Sequence, residues 1–443
     1  MKERTARRNR SDALHKSIEL PTRPSRSGRD CPPETNTSAH FRISLVALVV
    51  ALLASCSFIF ARKNTDQAPP GPNEYASDAA CHDCHAKEFE GYEQTRHHRT
   101  SQLPSSTSIL GKFTNAKNTM ATFNPQVSFR MDARDDAFFE TAIMGKSGQK
   151  KSRTERIDIV IGSGRKGQTY LYWRGEQLFE LPVSYWTESD RWVNSPGYVD
   201  GSADFERPVT PRCLECHATS FTSLPAATGY HFDKSNFTLG ISCERCHGPA
   251  AEHIRRHSPG TLNSNPEATT STAAVSANSS ALLSPAGTDR ARQIDICAQC
   301  HGGIGESVTP PFSFHPGESL SSSLKLEPFN PRARVDVHGN QVALLEKSRC
   351  FQSSPSMTCS TCHDLHAPPR EAATYSDRCL ACHTPQSCPT FEKAPQRPPN
   401  CIDCHMPIQA SKSLVLDIED EQVGARVRTH WIRVYPPSAT RRN

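Results

Sequence analysis

Seven stretches of this chain share one spacing, Cys-x-x-Cys-His. They are Cys81-His-Asp-Cys84-His85, Cys213-Leu-Glu-Cys216-His217, Cys243-Glu-Arg-Cys246-His247 and Cys297-Ala-Gln-Cys300-His301, then Cys359-Ser-Thr-Cys362-His363, Cys379-Leu-Ala-Cys382-His383 and Cys401-Ile-Asp-Cys404-His405. Together they use fourteen of the eighteen cysteines. Two thiols separated by two residues lie about one helical turn apart, the separation of the two vinyl groups of a haem. The residue that follows then presents its imidazole to the iron. Zinc sites also use paired cysteines, but zinc has no need of a histidine directly after the second cysteine in every copy. A disulfide framework leaves the seven histidines without a purpose. The spacing therefore predicts seven covalently attached haem c groups, each with a motif histidine as proximal ligand.

Of the nineteen histidines, seven close the motifs, His82 lies inside the first, and His15 and His40 precede the apolar segment described below. His97, His98, His231, His253, His257, His315, His338, His366 and His430 remain as candidates for the sixth ligand. His366 stands three residues after His363, on the same side of a turn, so it cannot bracket the same iron and is expected on a neighbouring haem. His97 and His98 are adjacent, and one of the two is expected to bind. His430 would bring the C-terminal segment back onto the haems. Cys350 and Cys388 flank the fifth and sixth motifs and are expected to form a disulfide in an oxidising compartment.

The elements that position these groups are harder to read. Only 36% of the residues are hydrophobic, and 34 prolines with 23 glycines indicate a loop-rich chain. The expected interior is the flat apolar surface of the haems, wrapped by short helices, so the fold is read as mainly α and loop-rich, a cytochrome domain over 75–443. Residues 127–193 differ. Alternation in Ile157-Asp-Ile-Val-Ile161 and Thr169-Tyr-Leu-Tyr-Trp173, with turns at Gly162-Ser-Gly164 and Arg174-Gly-Glu-Gln177, predicts a small β-rich module. Residues 261–289, rich in Ser, Ala, Thr and Asn, read as a disordered insertion.

Residues 1–42 carry ten Lys/Arg against five Asp/Glu, which accounts for the whole net charge of +5. The rest is neutral, and a nucleic-acid surface is not expected. Residues 43–61 form an uncharged apolar run long enough for a transmembrane helix. The basic segment ahead of it predicts an inner-membrane anchor with the bulk facing the periplasm. A cleaved signal segment and a lipoprotein site at Cys56 are the alternatives, and all three give an extracytoplasmic location. Residues 62–74 read as a polar linker.

The run from Ala80 to His98 resembles the opening of the multihaem cytochromes related to the tetrahaem cytochrome c of nitrifying bacteria. Cys243-Glu-Arg-Cys-His-Gly-Pro249, Cys359-Ser-Thr-Cys-His-Asp-Leu-His366 and Cys401-Ile-Asp-Cys-His-Met-Pro407 are similar to that family's doubled-motif segments, and the likeness runs from Tyr75 to His430. The resemblance implies a mostly helical haem-wrapping fold and bis-histidine ligation, with distal ligands such as His97 or His98, His253, His366 and His430.

Two functions follow. Enough histidines exist to close every iron, which favours an electron carrier working with redox proteins or a membrane quinol oxidase. The alternative is an oxidoreductase acting on a small nitrogen or sulfur compound at one open haem.

Overall fold

The computed structural model describes residues 74–114, 117–258, 282–368, 370–389, 400–418 and 421–436. The chain divides into Met1–Thr65 and Asp66–Asn443, and every described residue belongs to the second unit. The basic segment 1–42, the apolar run 43–61 and nearly all of the 62–74 linker lie outside the described residues. Among those described, no helix is long and apolar enough to cross a membrane.

The expectation of a mainly α fold is overturned. About 28% of the described residues lie in strands and 25% in helices. A haem motif implies helix where it stands, but each motif needs only one turn, and the chain between motifs is free to pair as strands.

The chain opens with α1 (Asp78–Tyr92), which carries the first motif. It then enters a β-rich body that starts earlier than residue 127. Strands β1 (Ser101–Gln102), β2 (Thr119–Ala121), β3 (Val127–Arg134), β4 (Ala137–Met144) and β5 (Lys151–Arg156) are followed by β6 (Ile159–Ile161), β7 (Gly167–Arg174), β8 (Gln177–Glu180), β9 (Val183–Trp186) and β10 (Arg191–Asn194). β2–β5 make one antiparallel sheet, and the order β1-β6-β7-β9-β10, with β8 on β7, makes the other. The β3–β4 hairpin turns through Asp135 and Asp136, both at positive φ, in the conformation that two-residue hairpin loops prefer.

Alternation decides where each side chain goes. In β3, Phe129 and Met131 are buried while Arg130 and Asp132 pair in solvent at 2.8 Å. β7 is buried on both faces. Tyr170 and Tyr172 enter one apolar cluster with Phe129, Met131, Leu181 and Trp192. Leu171 enters a second with Ile159, Leu178 and Phe232.

Glu140 is fully buried in the first of these regions and accepts a hydrogen bond from the Val183 N–H at 3.1 Å. Burial raises its carboxyl well above the usual range, and that one bond only partly offsets the effect. A raised folded pKa means that unfolding releases a proton at pH values between the unfolded and the folded value. Stability is therefore fully present below the unfolded value of about 4.3 and declines as pH rises toward the folded value. Glu140→Gln is expected to raise the unfolding temperature at pH 7.5 and to change it little at pH 4.5. An equal gain at both pH values would assign the effect to shape rather than to the proton.

Beyond the β-rich body come α2 (Pro211–His217), the hairpin β11 (Ala218–Leu224) and β12 (His231–Leu239), α3 (Glu244–His247), α4 (Ala251–His257) and α5 (Arg290–His301). A small ribbon pairs β13 (Glu306–Ser307) with β14 (Leu324–Lys325), and α6 (Gln341–Glu346), α7 (Arg349–Ser353), α8 (Ser376–Leu380) and α9 (Cys401–His405) follow. The described chain closes with a long hairpin, β15 (Ile408–Ile418) and β16 (Glu421–Arg428). Leu416 and Ala425 of that hairpin pack against Trp186 and Val193. Asp336 pins its start by accepting from Ser411 Oγ at 2.8 Å and Lys412 N at 2.6 Å. Of the expected insertion 261–289, residues 261–281 lie outside the described residues, and 282–289 are described, with Asp289 capping α5 through the Arg292 N–H.

Candidate functional site

Each motif is a single closed turn. His247, His363 and His383 donate their backbone N–H to the carbonyl of the first cysteine in their own motif, at 3.0, 3.0 and 2.9 Å. The turn fixes the two thiols and the imidazole as one unit. What differs between motifs is the anchoring of the two intervening residues. Leu214 of the second motif is buried in the cluster with Ile159 and Leu171, which ties that motif to the β-rich body. Its neighbour Glu215 accepts from the Phe312 N–H at 2.8 Å. Ala298 and Gln299 of the fourth motif and Ile402 of the seventh are likewise buried. His82 and Asp83 of the first motif are exposed.

All seven motif histidines line one continuous cavity of about 3840 Å³. So do thirteen of the fourteen motif cysteines, Cys84 being the exception. One seventh of that volume is about 550 Å³, inside the range of about 300–1,000 Å³ for cofactor-sized sites. The aliphatic side chains leave this interior to something else, as the low hydrophobic content predicts.

Five further histidines line the same cavity: His97, His253, His338, His366 and His430. Three of them face motif histidines at a telling separation. Ring centroids are 6.0 Å apart for His97 and His301, 5.9 Å for His247 and His366, and 6.2 Å for His363 and His430. Two imidazoles on opposite sides of one metal, with bonds of about 2.0–2.1 Å, place their centroids about 6 Å apart. The last two pairs are also close to parallel, at 22° and 26°. His253 comes within electrostatic reach of His85, and His338 within reach of His217 and His301.

The second ring nitrogen of several motif histidines is held. His247 Nδ1 donates to the Leu283 carbonyl at 2.8 Å and His405 Nδ1 to the Arg433 carbonyl at 3.0 Å, while His301 Nδ1 lies 3.1 Å from Gln341 Oε1. A donor role for Nδ1 leaves Nε2 as the free lone pair, which is how proteins orient an imidazole toward a metal. Burial, reinforced by neighbouring imidazoles, lowers both His97 and His430 to about 4, so both rings are neutral at physiological pH. Residues 282–289 thus belong to the site through Leu283, where the sequence suggested an insertion. A polar, low-complexity stretch with two leucines at its end carried no signal of that role.

The structure does not bring the other expected ligands to the cavity. His98 turns to Asp78 at 3.6 Å, His231 lies 3.3 Å from Glu176, and His315 sits in a turn away from the cavity lining. Of the adjacent His97 and His98, His97 lines the cavity and His98 does not. The expected Cys350–Cys388 disulfide is also absent: both are free thiols. Cys350 lies within electrostatic reach of Cys362 and Cys379, and Cys388 of Cys404, so each is drawn to a different motif.

A close approach at Gly91 helps hold His366. A Cβ there would stand 2.3 Å from the His366 carbonyl oxygen, a backbone atom that cannot swing away. Alanine is favoured over glycine in a helix by about 1 kcal/mol, yet Gly91→Ala is expected to destabilise the protein and to move His366 off His247. The check is the loss of one low-spin haem signal from the loaded protein. An unchanged spectrum with raised stability would show that the helix absorbs the methyl.

Contacts between cysteines order the sites, numbered here by motif. Sγ of Cys81 and Cys243 lie within 4.8 Å of each other, joining sites 1 and 3. The thiols of Cys216 and Cys300, Cys297 and Cys359, and Cys379 and Cys401 lie within interaction range of each other, joining sites 2 and 4, 4 and 5, and 6 and 7. Cys246 and Cys297 bring sites 3 and 4 within electrostatic reach, and Cys362 and Cys382 do the same for sites 5 and 6. The result is a line 1-3-4-5-6-7 with site 2 branching from site 4.

Residues 184–248, which hold the second and third motifs, match the family model described as cytochrome c554 and c-prime. These findings support a multihaem c-type cytochrome with covalent haem c. The match is much shorter than the Tyr75–His430 stretch over which the family resemblance runs, and a relationship to the nitrifier tetrahaem protein is not established by it. No curated protein matches the chain. Among solved structures, an outer cell wall cytochrome, OcwA, is similar at 16% identity and a TM-score of 0.47, covering 83% of this chain and 81% of its own. The fit of the residues to haem rests on the cavity, the facing imidazoles and the thiol pairs.

Proposed function

We propose that this protein is a heptahaem c-type cytochrome that conducts electrons outside the cytoplasmic membrane. The observation that carries the reading is the single cavity onto which all seven motif histidines open, with three facing imidazole pairs at about 6 Å across it. Bound haem would supply reversible one-electron chemistry at low potential, as two nitrogen ligands favour. The chain's own part is to hold the sites in sequence, to fix each imidazole through its second nitrogen, and to keep water from the apolar interior. His253 toward His85, His338 toward His217, His366 toward His247, His97 toward His301 and His430 toward His363 complete five of the sites. An extracytoplasmic setting is supported by the covalent attachment of haem, which takes place there. Partners are redox proteins or a quinol-oxidising membrane enzyme, and nucleic acid is not expected.

The test is to express the chain with haem-maturation machinery and count haem per chain by its pyridine adduct and by intact mass. Seven haems are expected, with most irons low-spin in the oxidised protein by low-temperature EPR. Fewer than seven would overturn the reading. A second reading, an oxidoreductase for a small nitrogen or sulfur compound, is favoured by one observation: among the described residues, none of the five cavity histidines has its ring paired with that of His383 or His405.

A further inference from the structure

Every histidine from His82 onward is among the described residues. Three of them face the motif histidines of sites 3 to 5, and His253 and His338 come within electrostatic reach of those of sites 1 and 2. The others are engaged elsewhere: His82 packs on Phe89 at 5.1 Å, His98 on Asp78, His231 on Glu176, and His257 on His253 at 4.7 Å. His315 lies off the cavity lining, two residues before Gly317, which Leu283 approaches. Among the described residues, therefore, sites 6 and 7 have a proximal histidine and no distal one. They are also neighbours, through Cys379 and Cys401, and they end the line of sites.

The lining of this end is basic. From residue 347 onward the cavity is lined by Lys347, Arg349, Arg370, Arg378, Arg428 and Arg433 against three carboxylates. Arg428 is matched by Asp403 at 2.8 Å and Arg370 by Asp364 at 3.8 Å. Among the described residues, Arg433 has no such carboxylate. Its guanidinium stacks on Trp431 at 3.9 Å and Tyr435 at 4.5 Å, while its carbonyl orients His405. An aromatic shelf holds an arginine without neutralising it. A cleft of one sign of charge with apolar walls concentrates counter-ions.

We propose that the haems held by His383 and His405 keep their sixth positions free of protein ligands and together form a terminus that binds a small anion directly at iron. This rests on the seven-haem reading and extends it. Sites 1 to 5 then serve as the conduit, and sites 6 and 7 are where an external acceptor or donor meets the metal.

The experiment uses the fully loaded chain and counts haem in the same sample. Reduced protein titrated with carbon monoxide is expected to take up two equivalents per chain, and oxidised protein to show two high-spin irons that azide converts to low-spin. Neutralising the two arginines, Arg378→Gln with Arg433→Gln, is expected to raise the azide Kd about threefold or more and to leave carbon monoxide uptake at two. Seven haems with fewer than two carbon monoxide equivalents would overturn the open terminus while leaving the conduit standing. So would low-spin signals at both sites that disappear in a Cys350→Ser, Cys388→Ser variant, since a thiolate would then fill the position. An azide Kd unmoved by the arginine changes would overturn the anion preference. Fewer than seven haems would instead defeat the reading beneath it.

Discussion

Chains made without haem attachment are expected to lose every described motif-bearing element except α2, and to keep the β-rich body together with α2 and the β11–β12 hairpin that pack on it. The argument is volumetric. Residual cavities cost about 24 cal/mol per Å³. If even a tenth of the 3840 Å³ interior persisted as void, the cost would be about 9 kcal/mol, comparable with the whole stability of an ordinary domain. The other motif-bearing segments have little else to hold them. Their largest apolar cluster of their own is Ala298, Phe314, Leu320 and Leu324 with two partly buried neighbours. The β-rich body, in contrast, closes on two clusters of large side chains that owe nothing to haem. Limited proteolysis of haem-free chain, read by mass spectrometry, is therefore expected to leave a resistant fragment from near Ser101 to near Leu239. Resistance across the whole chain equal to that of loaded protein would show that the polypeptide alone sustains the cavity.

The same contrast explains what could be read from residues alone. Covalent haem chemistry is local. Two thiols and an imidazole must share one turn, so Cys297, Cys300 and His301 declare themselves without any knowledge of the fold. The position of His366, three residues past His363, also excludes its own iron by geometry of a single turn. Which distal histidine meets which iron is a tertiary fact. His97 and His98 differ only in that one ring turns to His301 and the other to Asp78. Strand content was under-read for a related reason. The motifs draw attention to helix, yet β11 begins at Ala218, the residue after His217, and β15 begins three residues after His405. β7 hides for another reason: it is buried on both faces, so it alternates between two apolar clusters rather than between core and water. Leu283 had no local signal, because a backbone carbonyl carries no residue identity.

His97→Ala is expected to produce the largest functional change available from one distal position. His97 faces His301 at 6.0 Å, and site 4 is where the line from site 1, the branch to site 2 and the path toward site 7 all meet. Loss of the imidazole leaves that iron with a single protein ligand. One low-spin signal should become high-spin, and carbon monoxide uptake should rise by one equivalent per chain. Axial ligand identity sets haem potentials over about 0.8 V, and replacing a strong nitrogen donor by water is expected to raise the potential by on the order of 0.1 V. For one electron, 59 mV is a factor of ten in occupancy. The altered site then becomes a sink, and transfer between the two ends should slow by roughly fiftyfold. The internal control is the neighbouring residue. His98→Ala removes an imidazole of the same size one position away, but one that pairs with Asp78 rather than lining the cavity. It is expected to leave spin state, carbon monoxide uptake and transfer rate unchanged. If His98→Ala gives the high-spin signal and His97→Ala does not, the ligand at site 4 is the other histidine, and the order of sites built on this geometry must be redrawn from that point.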